Sequence, residues 1–174
     1  MESLTTQALN AFFQRLGEQL SSPATLYLLG GSALCLLGSP RETLDVDFAF
    51  ENPPPDAKAI LERLATELKL DLELVPLGEF IPLPPEAEQR RRFVGYYGLL
   101  DVYIFDLYSI ALSKIARGFE SDFEDVEFLL LKKLIHWETL VAYFQNILPR
   151  AQSSDIDLQE FQQYFETLRK RVKR

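Results

Sequence analysis

Apolar residues recur at helical spacing over residues 4–20, where Leu4, Ala8, Ala11, Phe12 and Leu16 share one side, and this period predicts an amphipathic helix. Ser21-Ser22-Pro23 ends it, since a proline cannot continue the ladder of backbone bonds. Residues 25–29 are a short, largely apolar run, as expected of a buried strand. Gly30-Gly31 breaks that run, and residues 32–37 predict a short helix stopped by Gly38-Ser39-Pro40. Residues 44–50 then alternate, with Leu44, Val46 and Phe48 against Asp45, Asp47 and Ala49, which is the period of a strand with two different faces. After Asn52-Pro53-Pro54-Pro55, residues 56–69 place Ala57, Ile60, Leu61, Leu64, Ala65 and Leu68 on one side of a second amphipathic helix. Residues 70–75 form a third strand, with Asp71 and Glu73 on one face and Leu70, Leu72 and Leu74 on the other.

The second half reads differently. Residues 76–88 are a Pro-rich loop, followed by Arg90-Arg91-Arg92. Residues 93–105 predict a β-hairpin with Gly95 and Gly98 near its turn. Asp106 suits the N-cap of a helix reaching about Arg117, and Gly118 suits its end. Helices follow over 125–133 and 138–148, then a linker over 149–157 and a final helix over 158–174 with a basic tail. There are no internal repeats. The pattern implies an α/β (α+β) chain, a small mixed sheet flanked by helices, with a C-terminal helical segment.

Composition narrows the chemistry. In 174 residues, 47% hydrophobic content is enough for a real core, and 25% charged content is that of a soluble globular protein. No apolar run is long enough to span a bilayer. The first twenty residues lack the basic start and apolar centre of a signal peptide, so the expected location is cytoplasmic. The single cysteine, Cys35, excludes an intramolecular disulfide, and the single histidine, His136, argues against a Cys/His zinc site. A metal would have to be held by carboxylates, which favours hard cations such as Mg²⁺ or Mn²⁺. A net charge of -8 weakens long-range attraction to nucleic acid except at a local basic patch.

One constellation carries chemistry. A Gly30-Gly31 turn lets backbone approach a ligand without an intervening Cβ. The following helix points free N–H groups and its positive dipole end at the turn, which suits phosphate, and the Ser32 hydroxyl is a further donor. Asp45 and Asp47 are two apart on a strand, so both carboxylates leave the same face. They repel one another unless a divalent cation lies between them. Arg41 either positions a phosphate or pairs with Glu42 or Asp45. Thr43 either orients Asp45 or simply favours the strand.

The strings Leu28-Leu29-Gly30-Gly31-Ser32 and Arg41-Glu42-Thr43-Leu44-Asp45-Val46-Asp47-Phe48 resemble the polymerase-β-like nucleotidyltransferase superfamily, in which a Gly-Gly or Gly-Ser turn is followed by Asp-x-Asp. The Arg-x-Thr-x-Asp-x-Asp form is similar to the bacterial branch of abortive-infection and toxin–antitoxin nucleotidyltransferases. The stretch 108–117, followed by Asp122 and Asp125, is similar to the helix these proteins place after the catalytic sheet. The resemblance covers about residues 25–135 and implies a nucleotidyltransferase-like domain over 1–135, with 136–174 as a helical extension of the same compact unit.

It further implies nucleotidyl transfer from an NTP to an acceptor hydroxyl on a protein, a tRNA end or a small molecule. Asp45 and Asp47 would be the metal ligands, Gly30, Gly31, Ser32, Arg41, Thr43 and Lys114 would serve the nucleotide, and a third carboxylate would come from a neighbouring strand. Asp71 and Glu73 stand in the expected place for that carboxylate, in preference to Asp101. Lys114 either reaches toward the nucleotide or extends its stem along apolar surface to water. Asp122 and Asp125 fit better as helix caps or partners of Arg117 than as metal ligands. A non-catalytic member, working as a regulatory subunit of a toxin–antitoxin pair, is the alternative. It would use Phe80, Ile81 and Leu83, expected to be exposed, to meet a protein partner. The tail 169–174 could touch nucleic acid or an acidic partner, or simply complement its helix dipole.

Overall fold

In the computed structural model, residues 2–151 and 155–173 are described; residues 152–154 of the expected linker and Arg174 of the basic tail lie outside them. The described residues divide into two compact units, one of residues up to 76 with 91–105, the other of 77–90 with those from 106 onward. The helices expected beyond residue 136 thus belong to the same unit as those over 107–131. Among the described residues no helix is long and apolar enough to cross a membrane.

The first unit contains α1 (Thr6–Gln19), β1 (Ala24–Leu28), α2 (Gly30–Leu36), β2 (Asp45–Glu51), α3 (Ala57–Leu68), β3 (Asp71–Leu74), β4 (Arg92–Tyr97) and β5 (Leu100–Ile104). The strands form one mixed sheet in the order β3-β2-β1-β5-β4. β1 runs antiparallel to β2 and parallel to β5, while β2 runs parallel to β3. The alternation in β2 sorts its faces: Val46 and Phe48 are buried, whereas Asp45 and Asp47 are only partly so. Phe12 of α1 packs on Phe48, ring centroids 6.1 Å apart. Leu9, Phe12, Phe13 and Leu16 of α1 are all fully buried, as is Leu64 of α3. Burying one such side chain stabilises by about 1.5–3 kcal/mol, so this apolar face holds the sheet's shape.

Helix α1 begins where the Thr5 side chain accepts from the Ala8 N–H at 3.0 Å. Gly17, within that helix, has a tertiary reason that its sequence context hides. A Cβ there would collide with the Tyr97 carbonyl, and one on Gly98 would come within 2.6 Å of the Gly17 carbonyl oxygen. The two glycines let a helix backbone and a hairpin turn touch. Gly98 also supplies the positive φ (59°) at the first position of the two-residue turn between β4 and β5, as primed hairpin turns require.

The starts of α2 and α5 depart from expectation for local reasons. α2 begins at Gly30 rather than at residue 32, because Gly30 adopts φ 54° and the chain turns into the helix there. In the second unit, α5 (Glu120–Leu131) begins five residues before the expected Asp125. The Asp122 carboxylate accepts from the Phe119 N–H at 3.2 Å and closes the first turn. Cys35 is half-buried, and loss of hydration raises its thiol pKa.

The second unit is helical, with α4 (Leu107–Arg117), α5, α6 (Trp137–Ile147) and α7 (Leu158–Val172). Phe144 stacks on Phe165 at 3.9 Å and meets Phe161 edge-on at 5.0 Å, and Trp137 stacks on Phe165 at 5.4 Å. Asp106 caps α4 through the N–H groups of Tyr108 and Ser109 and receives the Arg90 guanidinium at 2.8 Å on each carboxylate oxygen. Arg90 also donates to the Tyr143 hydroxyl at 3.0 Å and lies over that ring. Within the arginine triplet, Arg90 is therefore a structural clamp. Ile81 is 3% exposed, and Phe80 and Leu83 are half-buried, which corrects the expectation that the three are open to a partner. In the tail, Arg171 forks onto Glu127 at 2.8 and 3.0 Å and reaches Glu120 at 2.8 Å, so this chain's own acids hold it.

Gly17→Ala should destabilise the protein by about 1–3 kcal/mol, as overpacking does, despite alanine's better helix propensity; urea unfolding measures the loss. Arg90→Ala should cost about 3 kcal/mol by leaving the buried Asp106 carboxylate without its cation. Arg90→Lys should recover only part, since an ammonium cannot span both oxygens; thermal unfolding of the pair reads the difference.

Candidate active site

The Asp-x-Asp strand meets its neighbours in a specific register. Asp45 lies opposite Asp71, and Asp47 opposite Glu73, on the parallel strand β3. Side chains two apart on a strand share a face, and register partners share it too. All four carboxylates therefore stand on one face, in two adjacent pairs. Asp45 and Asp47 are half-buried, whereas Asp71 and Glu73 are exposed. Asp101 lies opposite Thr25 on β1, away from the end of β1 that leads into α2.

That end of β1 brings the glycines to the aspartates. Leu28 pairs with Phe48, and the Leu29 N–H donates to the Asp47 carbonyl at 2.9 Å. A Cβ on Gly30 would run into the Asp47 carboxylate, whose carbon would lie at 3.3 Å. A Cβ on Gly31 would come within 2.7 Å of the Thr43 hydroxyl oxygen. The bare Cα atoms thus seat Asp47 and Thr43 against the first turn of α2. Thr43 precedes β2 and lies outside it, so its place follows from this contact and not from strand propensity.

Ser32 is fully buried, and its hydroxyl donates to the Leu29 carbonyl at 2.8 Å, with the Asp47 carbonyl at 3.3 Å. Its one hydrogen is used inside the protein. Ser32 ties β1, α2 and β2 together instead of extending a donor outward. The Arg41 N–H donates to the Ser39 hydroxyl at 3.3 Å, and its guanidinium donates to the Glu42 carbonyl at 3.4 Å. In the second unit, the Lys114 ammonium is buried and bonded to Asp125 at 2.7 Å, with Asp122 at 3.8 Å. Asp122 also receives the Arg117 guanidinium at 2.6 and 2.9 Å. Lys114 is held by carboxylates of its own unit.

The carboxylate face continues across the sheet with residues that sequence reading did not single out. Tyr27 lies opposite Ala49 on β2 and Tyr103 on β5. Its hydroxyl donates to the Glu51 carboxylate at 2.9 Å and accepts from Arg91 at 3.1 Å. Burial, then the Glu51 carboxylate, raises the Tyr27 phenol's pKa. The available signal was the strand period itself, which puts Tyr27, Glu51 and Asp47 on one face once the register is known.

The donor set consists of oxygens, as hard cations prefer. Among the described residues no three His, Cys, Asp or Glu side chains gather tightly enough to hold a metal alone. Mg²⁺ characteristically takes one or two carboxylates and completes its shell with substrate oxygens and water, so the Asp45 and Asp47 pair is a donor set that fits it.

The profile of a family described as nucleotidyltransferase of unknown function (DUF6036) matches residues 7–173. The chain belongs to this family. A crystal structure of an antigenic nucleotidyltransferase-like protein from Paracoccidioides brasiliensis is similar over 98% of this chain and 91% of that one, with a TM-score of 0.54 and 18% identity. That likeness shows the nucleotidyltransferase-like fold, with its mixed α/β architecture. No curated protein matches significantly.

Gly30→Ala should destabilise the fold by about 1–3 kcal/mol, through positive-φ strain and displacement of Asp47. Ser32→Ala should cost about 1 kcal/mol in the absence of any ligand. Denaturant unfolding tests both, and a Ser32→Ala protein as stable as the parent would return Ser32 to the role of a ligand donor.

Proposed function

We propose that this chain is a metal-dependent nucleotidyltransferase, moving a nucleotidyl group from an NTP to an acceptor hydroxyl. The observation that carries the reading is the register of Asp45 with Asp71 and of Asp47 with Glu73, beside the Gly30 start of α2. Family membership supports the same reaction class. Asp45 and Asp47 would hold Mg²⁺ or Mn²⁺, which supplies charge neutralisation for the phosphates. Gly30 and Gly31, with the first-turn N–H groups that have no acceptor within the helix, would face the phosphates; Ser32 supports that turn from within. Asp71 or Glu73 would take the acceptor proton. The acceptor oxygen bonds to the α-phosphorus, the α–β bridging bond breaks, and pyrophosphate leaves with the electron pair. In-line positioning and neutralised charge are most of what such transfer needs.

The Arg41-x-Thr43-x-Asp45-x-Asp47 string supports placement near the abortive-infection and toxin–antitoxin branch. A second reading, a nucleotide-binding regulatory subunit without turnover, is favoured by one observation: Asp71 and Glu73, the candidates for the third carboxylate, are exposed.

Calorimetric titration of ATP, GTP, CTP and UTP, with and without Mg²⁺, tests both. Metal-dependent binding should weaken at least about tenfold, or 1.4 kcal/mol, in the Asp45→Ala/Asp47→Ala protein. A folded parent that binds no nucleotide would rule out the transferase. Binding without pyrophosphate release, across protein, RNA and small-molecule acceptors, would select the regulatory subunit.

A further inference from the structure

The face that carries the four carboxylates ends, at the opposite edge of the sheet, in an exposed aromatic row. Tyr103 of β5 lies opposite Phe93 of β4, with ring centroids 5.6 Å apart. Phe93 and Tyr96 are three apart in sequence and would ordinarily leave opposite faces of a strand. The register skips between Phe93 and Gly95, so one extra residue is absorbed there as a bulge. That shift turns Phe93 and Tyr96 to the same side, with ring centroids 4.6 Å apart. Phe93 is 54% exposed and Tyr96 72% exposed. The Arg91 guanidinium lies over the Tyr103 ring at 4.2 Å and donates to the Tyr27 hydroxyl.

Two large rings exposed side by side form a contiguous patch, and such patches mark contact surfaces where scattered single residues do not. Their chemistry selects the occupant. Stacked rings beside a ring-mounted guanidinium match the alternation of flat bases and phosphates in a single strand, where each stacked base contributes about 1–3 kcal/mol. A chain of net charge -8 cannot hold a polyanion by bulk electrostatics, so stacking and a local arginine have to supply the affinity. β4 is three strand positions from β2, about 14 Å at ordinary sheet spacing. A few nucleotides bridge that gap.

From this we infer that Phe93 and Tyr96, with Arg91 and Tyr103, form a base-stacking platform for single-stranded nucleic acid, whose 3′ hydroxyl is the acceptor at the carboxylates. The inference rests on the transferase reading above and names its acceptor class. The transfer is then 3′ extension: the terminal 3′ oxygen bonds to the α-phosphorus, pyrophosphate departs with the bridging electron pair, and the hydroxyl proton passes to Asp71 or Glu73.

Fluorescence anisotropy with a labelled single-stranded RNA 12-mer of mixed sequence, and its DNA counterpart, tests this without any NTP present. The parent should bind in a salt-dependent manner. Phe93→Ala/Tyr96→Ala should weaken binding at least about tenfold, whereas Phe93→Tyr/Tyr96→Phe, which keeps both rings, should bind within about twofold of the parent. The alanine pair should still bind NTP with Mg²⁺ as the parent does, which establishes that it folds. Intact NTP binding with no binding of either oligonucleotide overturns the platform and leaves the transferase standing. Oligonucleotide binding that depends on both rings, in a protein that binds no NTP, overturns the transferase and the acceptor role with it. Unchanged oligonucleotide binding in the alanine pair, or a changed oligomeric state as its only effect, assigns the rings elsewhere and overturns the inference.

Discussion

Asp47 presses its carboxylate against the Cα of Gly30, at the residue where β1 has just ended and α2 begins. A side chain at Gly30 would have to occupy that space, and the positive φ there is one that L-residues rarely adopt. Around this contact the Leu29 N–H and the Ser32 hydroxyl both turn to backbone carbonyls of the same junction. The consequence reaches the rest of the first unit. With Asp47 located against α2, the antiparallel register of β1 on β2 is set, β3 adds in parallel, and Asp71 and Glu73 arrive beside Asp45 and Asp47. The same glycines that suggest a phosphate loop are thus also needed by the protein's own carboxylate and threonine.

The second unit is organised by buried charge. Lys114, Asp122 and Asp125 are nearly inaccessible, and Arg117 closes the group from the surface. Two cations and two anions balance, and their mutual hydrogen bonds offset part of the loss of hydration. Asp106 repeats the device at the start of α4, where a fully buried carboxylate satisfies two N–H groups, the Ser109 hydroxyl and Arg90. Removing one partner from such a cluster leaves a charge in low dielectric, which is why these residues matter more to stability than their number suggests.

The two faces of the sheet serve different ends. One is apolar and sealed by α1 and α3, which makes the platform rigid. The other carries carboxylates toward β3 and rings toward β4. Side chains on such a sheet are held firmly, because strand positions are fixed by ladder bonds and by the packing below.

Much of this was legible in the linear pattern. The period of apolar residues located every strand and helix to within a few residues except the start of α5, because periodicity is a local property of the chain. Asp106 and Gly118 read correctly as the cap and end of α4, since capping is local too. The sequence by itself also determined that Asp45 and Asp47 share a face, and that any cation here would meet oxygen donors. Only the tertiary structure decided which strand stands beside which. It thereby decided that Asp71 and Glu73, not Asp101, neighbour the aspartates, that Ser32 turns inward, that Lys114 is held by Asp125, and that a bulge turns Phe93 and Tyr96 to one side. Register, close backbone approach and ion pairing join residues far apart in the chain, and no local period encodes those distances.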